Sequence, residues 1–165
     1  MATLTTTLRA ARCLTLPPPP SVPSSHDRTR AAAVTSPAQA VQAVARAFSG
    51  LLHTVCAPSA GLAYQPRSLL AMLTYCYTRK IYGSQEIEDL LRSDTALRAT
   101  CGQEIPDAGT LRRFRRHNHE AIEQCLFKVL RLLADQRGVH PADAEVVEDA
   151  QQRLQTAVWM DMPEN

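Results

Sequence analysis

A stripe at three- and four-residue spacing runs from Leu111 through Phe114, Asn118, Ala121/Ile122, Cys125/Leu126 and Val129 to Leu133. All its members but Asn118 are apolar. That spacing lays one face of an α-helix against a core, and a strand, whose faces alternate every second residue, cannot produce it. Asp107 stands where a helix N-cap belongs and Gly138 where a C-terminal stop belongs. The pattern predicts one long helix over roughly 108–136.

Shorter stretches carry the same period. Ser36-Pro37 reads as a cap followed by proline at the first helical position, and Val41, Val44/Ala45, Phe48, Leu51/Leu52 and Val55 continue inward toward Pro58 and Gly61. Pro66 opens a second helix with Leu69, Leu70, Leu73, Cys76, Tyr77 and Ile81 on its apolar face, and Gly83 is its expected stop. Ser84 is the expected cap of a third, with Ile87, Leu90 and Leu91 inward and Glu86, Glu88 and Asp89 near its positive end. Ser93 or Asp94 can cap a short turn over Thr95–Thr100. Pro141 begins a last helix with Val146, Val147, Ala150, Leu154 and Val158 on one side, where Trp159 is expected to pack. Period-two β-branched runs are absent. The expected fold is all-α: a small multi-helix domain with a helix-turn-helix-like portion and one long helix. The expected divisions are a disordered Pro/Ser/Thr-rich tail over 1–35, a helical domain over 36–138, and an acidic C-terminal helix and tail over 139–165.

The tail carries Pro17–Pro20, which favours extended polyproline II and builds no core. Its first 26 residues hold Arg9 and Arg12 and no acid. That is a transit-peptide composition, for which a plain N-terminal extension is the simpler reading. Charge is unevenly spread. Residues 1–63 hold five arginines and one aspartate, residues 64–134 eleven Lys/Arg and eight acids, and residues 135–165 two arginines and seven acids. A basic front and an acidic rear suit a polyanionic partner at the front. Cys13, Cys56, Cys76, Cys101 and Cys125 are odd in number and form no CxxC or Cys/His cluster. That argues against a zinc site or a disulfide framework and for reduced thiols in the cytoplasm. The apolar run Leu69–Leu73 is far short of the roughly 20 residues of a membrane span.

The chemistry is concentrated in PDAGTLRRFRR, Pro106 to Arg116. At 100° per residue, Arg112, Arg115, Arg116 and His119 share an arc of about 100°, with Arg113 and His117 flanking it and the apolar residues elsewhere. No acid occurs between Asp107 and Glu120. Guanidiniums this close repel one another unless an anion screens them, and a phosphate backbone would do so. The alternative is a solvated face that pairs with Glu120, Glu123 or the acidic rear of the chain. Arg79, Lys80 and Arg67 are further candidate cations. Asp107 reads as a helix cap, and Asp143, Glu145, Glu148 and Asp149 as a solvated face rather than a metal cluster. Cys76 and Cys125 lie on apolar stripes and read as buried structural thiols.

From Tyr64 to Leu133 these pieces resemble the N-terminal domain of bacterial insertion-sequence transposases of the DDE class. The correspondence runs through Tyr64, Pro66 and Arg67, then Gly83, Ile87 and Glu88, then Leu97, Arg98 and Gly102, and finally Pro106, Asp107, Thr110, Leu111, Arg113, Phe114, Arg115 and His117. One departure is Leu97, where the family usually has an aromatic. The resemblance implies a helical segment that binds element-end double-stranded DNA. Joined to the charge pattern, it makes Arg112, Arg113, Arg115, Arg116, His119, Arg79, Lys80 and Arg67 the expected contacts. It does not imply catalysis: the family's metal-binding carboxylates lie further on, after an Asp-Gly-Thr strand that this sequence does not contain. The expectation is therefore a DNA-binding, nucleoid-associated protein with no catalytic residue, cofactor, metal or membrane contact of its own. Two alternatives stay open: an interaction module that pairs with itself or with a separately encoded catalytic subunit, and a remnant without function.

Overall fold

A computed structural model describes residues 36–54, 64–100, 103 and 105–162. The expected tail over 1–35 lies outside them, as do Val55, Cys13, Cys56 and Cys101. Among the described residues seven helices follow one another: α1 (Pro37–Ala47), α2 (Pro66–Thr78), α3 (Ser84–Ser93), α4 (Thr95–Thr100), α5 (Ala108–His117), α6 (His119–Gln136) and α7 (Asp143–Met160). No strand occurs among the described residues, so the fold is all-α.

Local chemistry accounts for most of the boundaries. Ser36 Oγ accepts from the Gln39 amide at 3.3 Å, while Gln39 Oε1 accepts from the Ser36 amide at 3.0 Å. This reciprocal box, with Pro37 behind it, starts α1. α1 is shorter than its apolar stripe suggests. Phe48 leaves the helix in an extended conformation and buries its ring, whereas Leu51 is 85 % exposed.

At the end of α2 the stop is Lys80 and not Gly83. Lys80 takes a left-handed conformation, φ 63°, and its amide donates to the Tyr77 carbonyl at 3.1 Å. The Ile81 amide donates to Cys76 at 2.9 Å, completing the two-bond closure usual for a glycine at this position. Gly138 closes α6 in the same way at φ 71°, as expected. Gly83 instead stands as the N-cap of α3, and Ser84 is the first helical residue rather than the cap.

α5 starts on two carboxylates. Asp107 Oδ1 accepts from the Thr110 amide at 2.8 Å, and Glu88 Oε2, reaching across from α3, accepts from the Ala108 amide at 2.7 Å. Burial pushes the Asp107 carboxyl up, but the Thr110 bonds and the nearby Arg113 charge outweigh it and hold the group below its usual range.

The single helix expected over 108–136 is two helices. Asn118, 3 % exposed, leaves helical geometry at φ −123°, ψ 26°. Its amide nitrogen donates to the Phe114 carbonyl at 3.0 Å and to the His53 carbonyl at 3.1 Å. Its oxygen accepts from the His53 amide at 2.6 Å. A side chain that bonds neighbouring backbone competes with helical continuation, and here it also clamps the segment after α1.

α2 runs through the core. Leu69, Leu70, Met72, Leu73, Cys76 and Tyr77 are each at most 1 % exposed. α1 packs on α2 and α6, α7 packs on α6, and α3 packs on α5. α7 starts two residues later than expected and buries Val146, Ala150, Leu154 and Ala157. Its Arg153 bonds Asp149 and donates to the carbonyls of Tyr77 and Thr78 at 3.0 and 3.2 Å. Trp159 does not pack: it is 69 % exposed, because 100° per residue places it opposite the buried stripe.

The capping scheme predicts that Glu88→Ala, which strands the Ala108 N–H and the Arg92 guanidinium that Glu88 also binds, lowers stability by about 1–3 kcal/mol. Glu88→Gln, which keeps an acceptor, should recover most of that loss in urea denaturation. Equal losses for the two variants would show that hydrogen bonding at Ala108 is not what Glu88 supplies.

Candidate nucleic-acid interface

α5 divides into the faces that its sequence implies, with one exception. Leu111 and Phe114 are wholly buried. Arg112 and Arg116 are exposed and have no ion-pair or hydrogen-bond partner among the described residues. His119, also exposed, has Nδ1 4.0 Å from Glu123 Oε2. Arg113 is half-buried and donates to Thr110 Oγ1 at 3.0 Å. His117 Nδ1 lies 2.7 Å from the Arg113 carbonyl, where the ring can only donate.

The exception is Arg115. Expected on the outward arc, it is 4 % exposed. Its guanidinium binds the Asp161 carboxylate and donates to Tyr77 Oη at 3.1 Å. Asp161 closes the arrangement: Oδ1 accepts from the Ser84 amide at 2.9 Å, and Oδ2 accepts from Ser84 Oγ as well as from Arg115. One carboxylate after α7 thus joins α3 and α5 over the end of α2. On the helical wheel Arg115 is the arginine next to the apolar side, so a modest rotation of α5 carries it inward.

Titration behaviour follows from burial and charge. Burial pushes the Tyr77 phenol up to about 12, against the opposing pull of Arg115. Burial also pushes the Asp161 carboxyl up, but the Ser84 bonds and Arg115 outweigh it and hold the group below its usual range. Arg115 is raised despite its burial, because Tyr77 and Asp161 favour its charged form.

Arg112, Arg115, Arg116 and His119 line one groove, closed on its other side by Val158, Asp161 and Met162, with a volume of about 530 Å³. The remaining candidate cations lie elsewhere. Arg79 donates to Tyr75 Oη at 3.3 Å at the end of α2, beside the exposed Lys80. Arg67 donates to the Phe48 carbonyl at 3.4 Å and shares a different pocket with Arg46. Sequence reasoning missed Ser84, Tyr77 and Asp161. The only signal toward them was that an acidic rear could pair with the arginines.

Other chemistry is sparse. Cys76 and Cys125 are buried, and burial holds the Cys125 thiol above its usual range. Among the described residues no three His, Cys, Asp or Glu side chains group so as to hold a metal. No described helix is long and apolar enough to cross a membrane.

A carboxyl whose pKa is depressed by folding adds stability above its unfolded pKa, about 3.9, and loses it as pH falls through the lower folded value. Asp161→Asn should therefore be less stable than wild type at pH 7, by about 3 kcal/mol for an unpaired buried guanidinium. The two denaturation midpoints should converge as pH falls below about 4. Midpoints that stay in parallel across that range would show that the ion pair contributes nothing.

The described geometry can be set beside known proteins. Residues 24–117 match the model of the transposase domain family (DUF772). No curated protein and no solved structure matches the chain. The match takes in α1 to α5 and ends at His117, so the basic helix lies inside it and α6 and α7 outside. It spans more than half of the sequence, and the chain belongs to the transposase domain family.

Proposed function

We propose that this domain binds duplex DNA at the ends of a mobile element, through α5. The observation that carries the reading is the pair Arg112 and Arg116. They are exposed and without a partner among the described residues, on a helix whose opposite side is buried. Two guanidiniums one turn apart, with His119 on the next, follow a phosphate backbone or read guanine edges in the major groove. α3 and α4 precede α5 in the order that a helix-turn-helix-like arrangement requires. Arg113, Arg79, Lys80 and Arg67 serve as flanking phosphate contacts. The role assigned to these residues is to hold DNA. Strand transfer requires clustered carboxylates that carry metal ions, and we assign that chemistry to a part of the transposase other than these helices. A protein with this role works at the nucleoid.

One observation favours a second reading, an interaction surface. Trp159, Met160 and Met162 are 69 %, 51 % and 60 % exposed together at the end of α7. A second copy of the chain, or a separate catalytic subunit, would cover them. Sedimentation velocity tests the first of these: a dimer that Trp159→Ala dissociates supports it, and a monomer at all concentrations removes it.

The DNA reading predicts binding of a fluorescein-labelled duplex, followed by anisotropy, that weakens steeply with salt. Arg112→Ala with Arg116→Ala should lower affinity at least tenfold and reduce the slope of log K against log salt by about 1.8, two phosphate contacts. Circular dichroism unchanged from wild type would show the fold intact. An unchanged affinity and slope in that folded variant would sink the reading.

A further inference from the structure

The groove beside α5 has an unusual floor. Its rim carries Arg112, Arg116 and His119, all exposed, yet the cation at its base, Arg115, is already occupied by a carboxylate of the same chain. That carboxylate reaches α5 from just beyond the last residue of α7, outside the segment that matches the transposase family. Asp161 presents two oxygens to one guanidinium and two Ser84 donors. A phosphate diester presents the same pair of charged oxygens to the same kinds of donor.

We propose that Arg115 is a phosphate seat at the base of the DNA surface, held in the free protein by Asp161 as a tethered substitute. This rests on the DNA reading above. The exchange is carboxylate for phosphate on one guanidinium, so Arg115 does not become an unpaired buried charge during it. What must move is small. The residues beyond α7 are held to it by the 3.3 Å bond from the Asp161 amide to Val158 and the 3.1 Å bond from the Met162 amide to Trp159. Ser84, at the start of α3, loses its Asp161 partner, and its amide and hydroxyl turn to water. Phosphates on the rim arginines raise the local demand for cations and favour the exchange. The free protein keeps one of its arginines out of non-specific contact with polyanions until a duplex lies along the rim.

The test uses the full chain and a short fluorescein-labelled duplex. Asp161→Asn should bind the duplex about five- to tenfold more tightly than wild type, with a salt slope steeper by about 0.9, one added phosphate. Adding Arg115→Ala to that variant should cancel the gain. Because Asp161→Asn lowers stability, two further measurements carry the test if it does not fold. Ser84→Ala, which loosens Asp161 but leaves the ion pair, should give a smaller gain in the same direction. In unmodified protein, the Ser84 amide, which donates to Asp161, should lose hydrogen-exchange protection when DNA is added. If wild type binds through Arg112 and Arg116 while Ser84→Ala and the folded Asp161→Asn bind no more tightly and the Ser84 amide stays protected, Arg115 is a strut and the proposal is overturned with the DNA reading intact. If neither wild type nor Asp161→Asn binds the duplex, the DNA reading itself has failed.

Discussion

The Arg115–Asp161 ion pair is the point on which four elements meet. Arg115 comes from α5, Asp161 from just beyond α7, Tyr77 from the end of α2, and Ser84 from the start of α3. Removing two charges from water costs several kcal/mol per ion, so a buried pair of this kind is a poor source of net stability. Its value is geometric. Apolar attraction is non-directional, whereas a guanidinium held by a carboxylate and a phenol oxygen accepts one orientation. With Arg115 fixed inward, Arg112 and Arg116 are fixed outward, since they lie about 60° and 100° round the helix from it, away from the apolar side.

The rest of α5 reinforces that setting. Its first turn rests on Asp107 and on Glu88 of α3. Its last turn ends at Asn118, whose amide grips both the N–H and the carbonyl of His53. The helix is therefore held at its start, on its inner side and at its end, by bonds to four other segments. A recognition surface held this way loses little conformational entropy on binding, which is how rigid sites gain affinity without new contacts. It also explains why Glu88 and Asp107 stand among the residues that carry the transposase resemblance although neither is a cation. They hold the helix that displays the cations.

Helices were legible in the sequence to the extent that their signals are local. Ser36-Pro37, Asp94, Asp107 and Gly138 act as their positions imply. Three of the misses, at Asn118, Ser84 and Arg115, come from partners distant in sequence. Asn118 looked like a polar member of an apolar stripe, and only His53, far along the chain, turns it into a break. Ser84 looked like a cap, and Asp161 takes its side chain instead. Lys80 stopped α2 ahead of Gly83 because the chain must reach α3 from there, and tertiary demand placed a lysine in a conformation that usually needs glycine. Arg115 falls on the outward arc at 100° per residue, but at its edge beside the apolar side, and from there it can turn in. The candidate interface was thus legible in composition and only partly in membership.

An electrostatic consideration gives this membership a reason. Four arginines within five residues repel at close range, and in a free protein that repulsion works against the helix that carries them. Neutralising all four from within the chain would leave nothing for a phosphate to bind. Neutralising none would leave the full repulsion and a surface that gathers any polyanion. Here the charges are graded by depth: Arg115 is paired internally, Arg113 is tied to Thr110, and Arg112 and Arg116 at the surface are left without partners. The free helix carries less repulsion than its composition suggests, and the arginines left without a partner among the described residues are exposed ones.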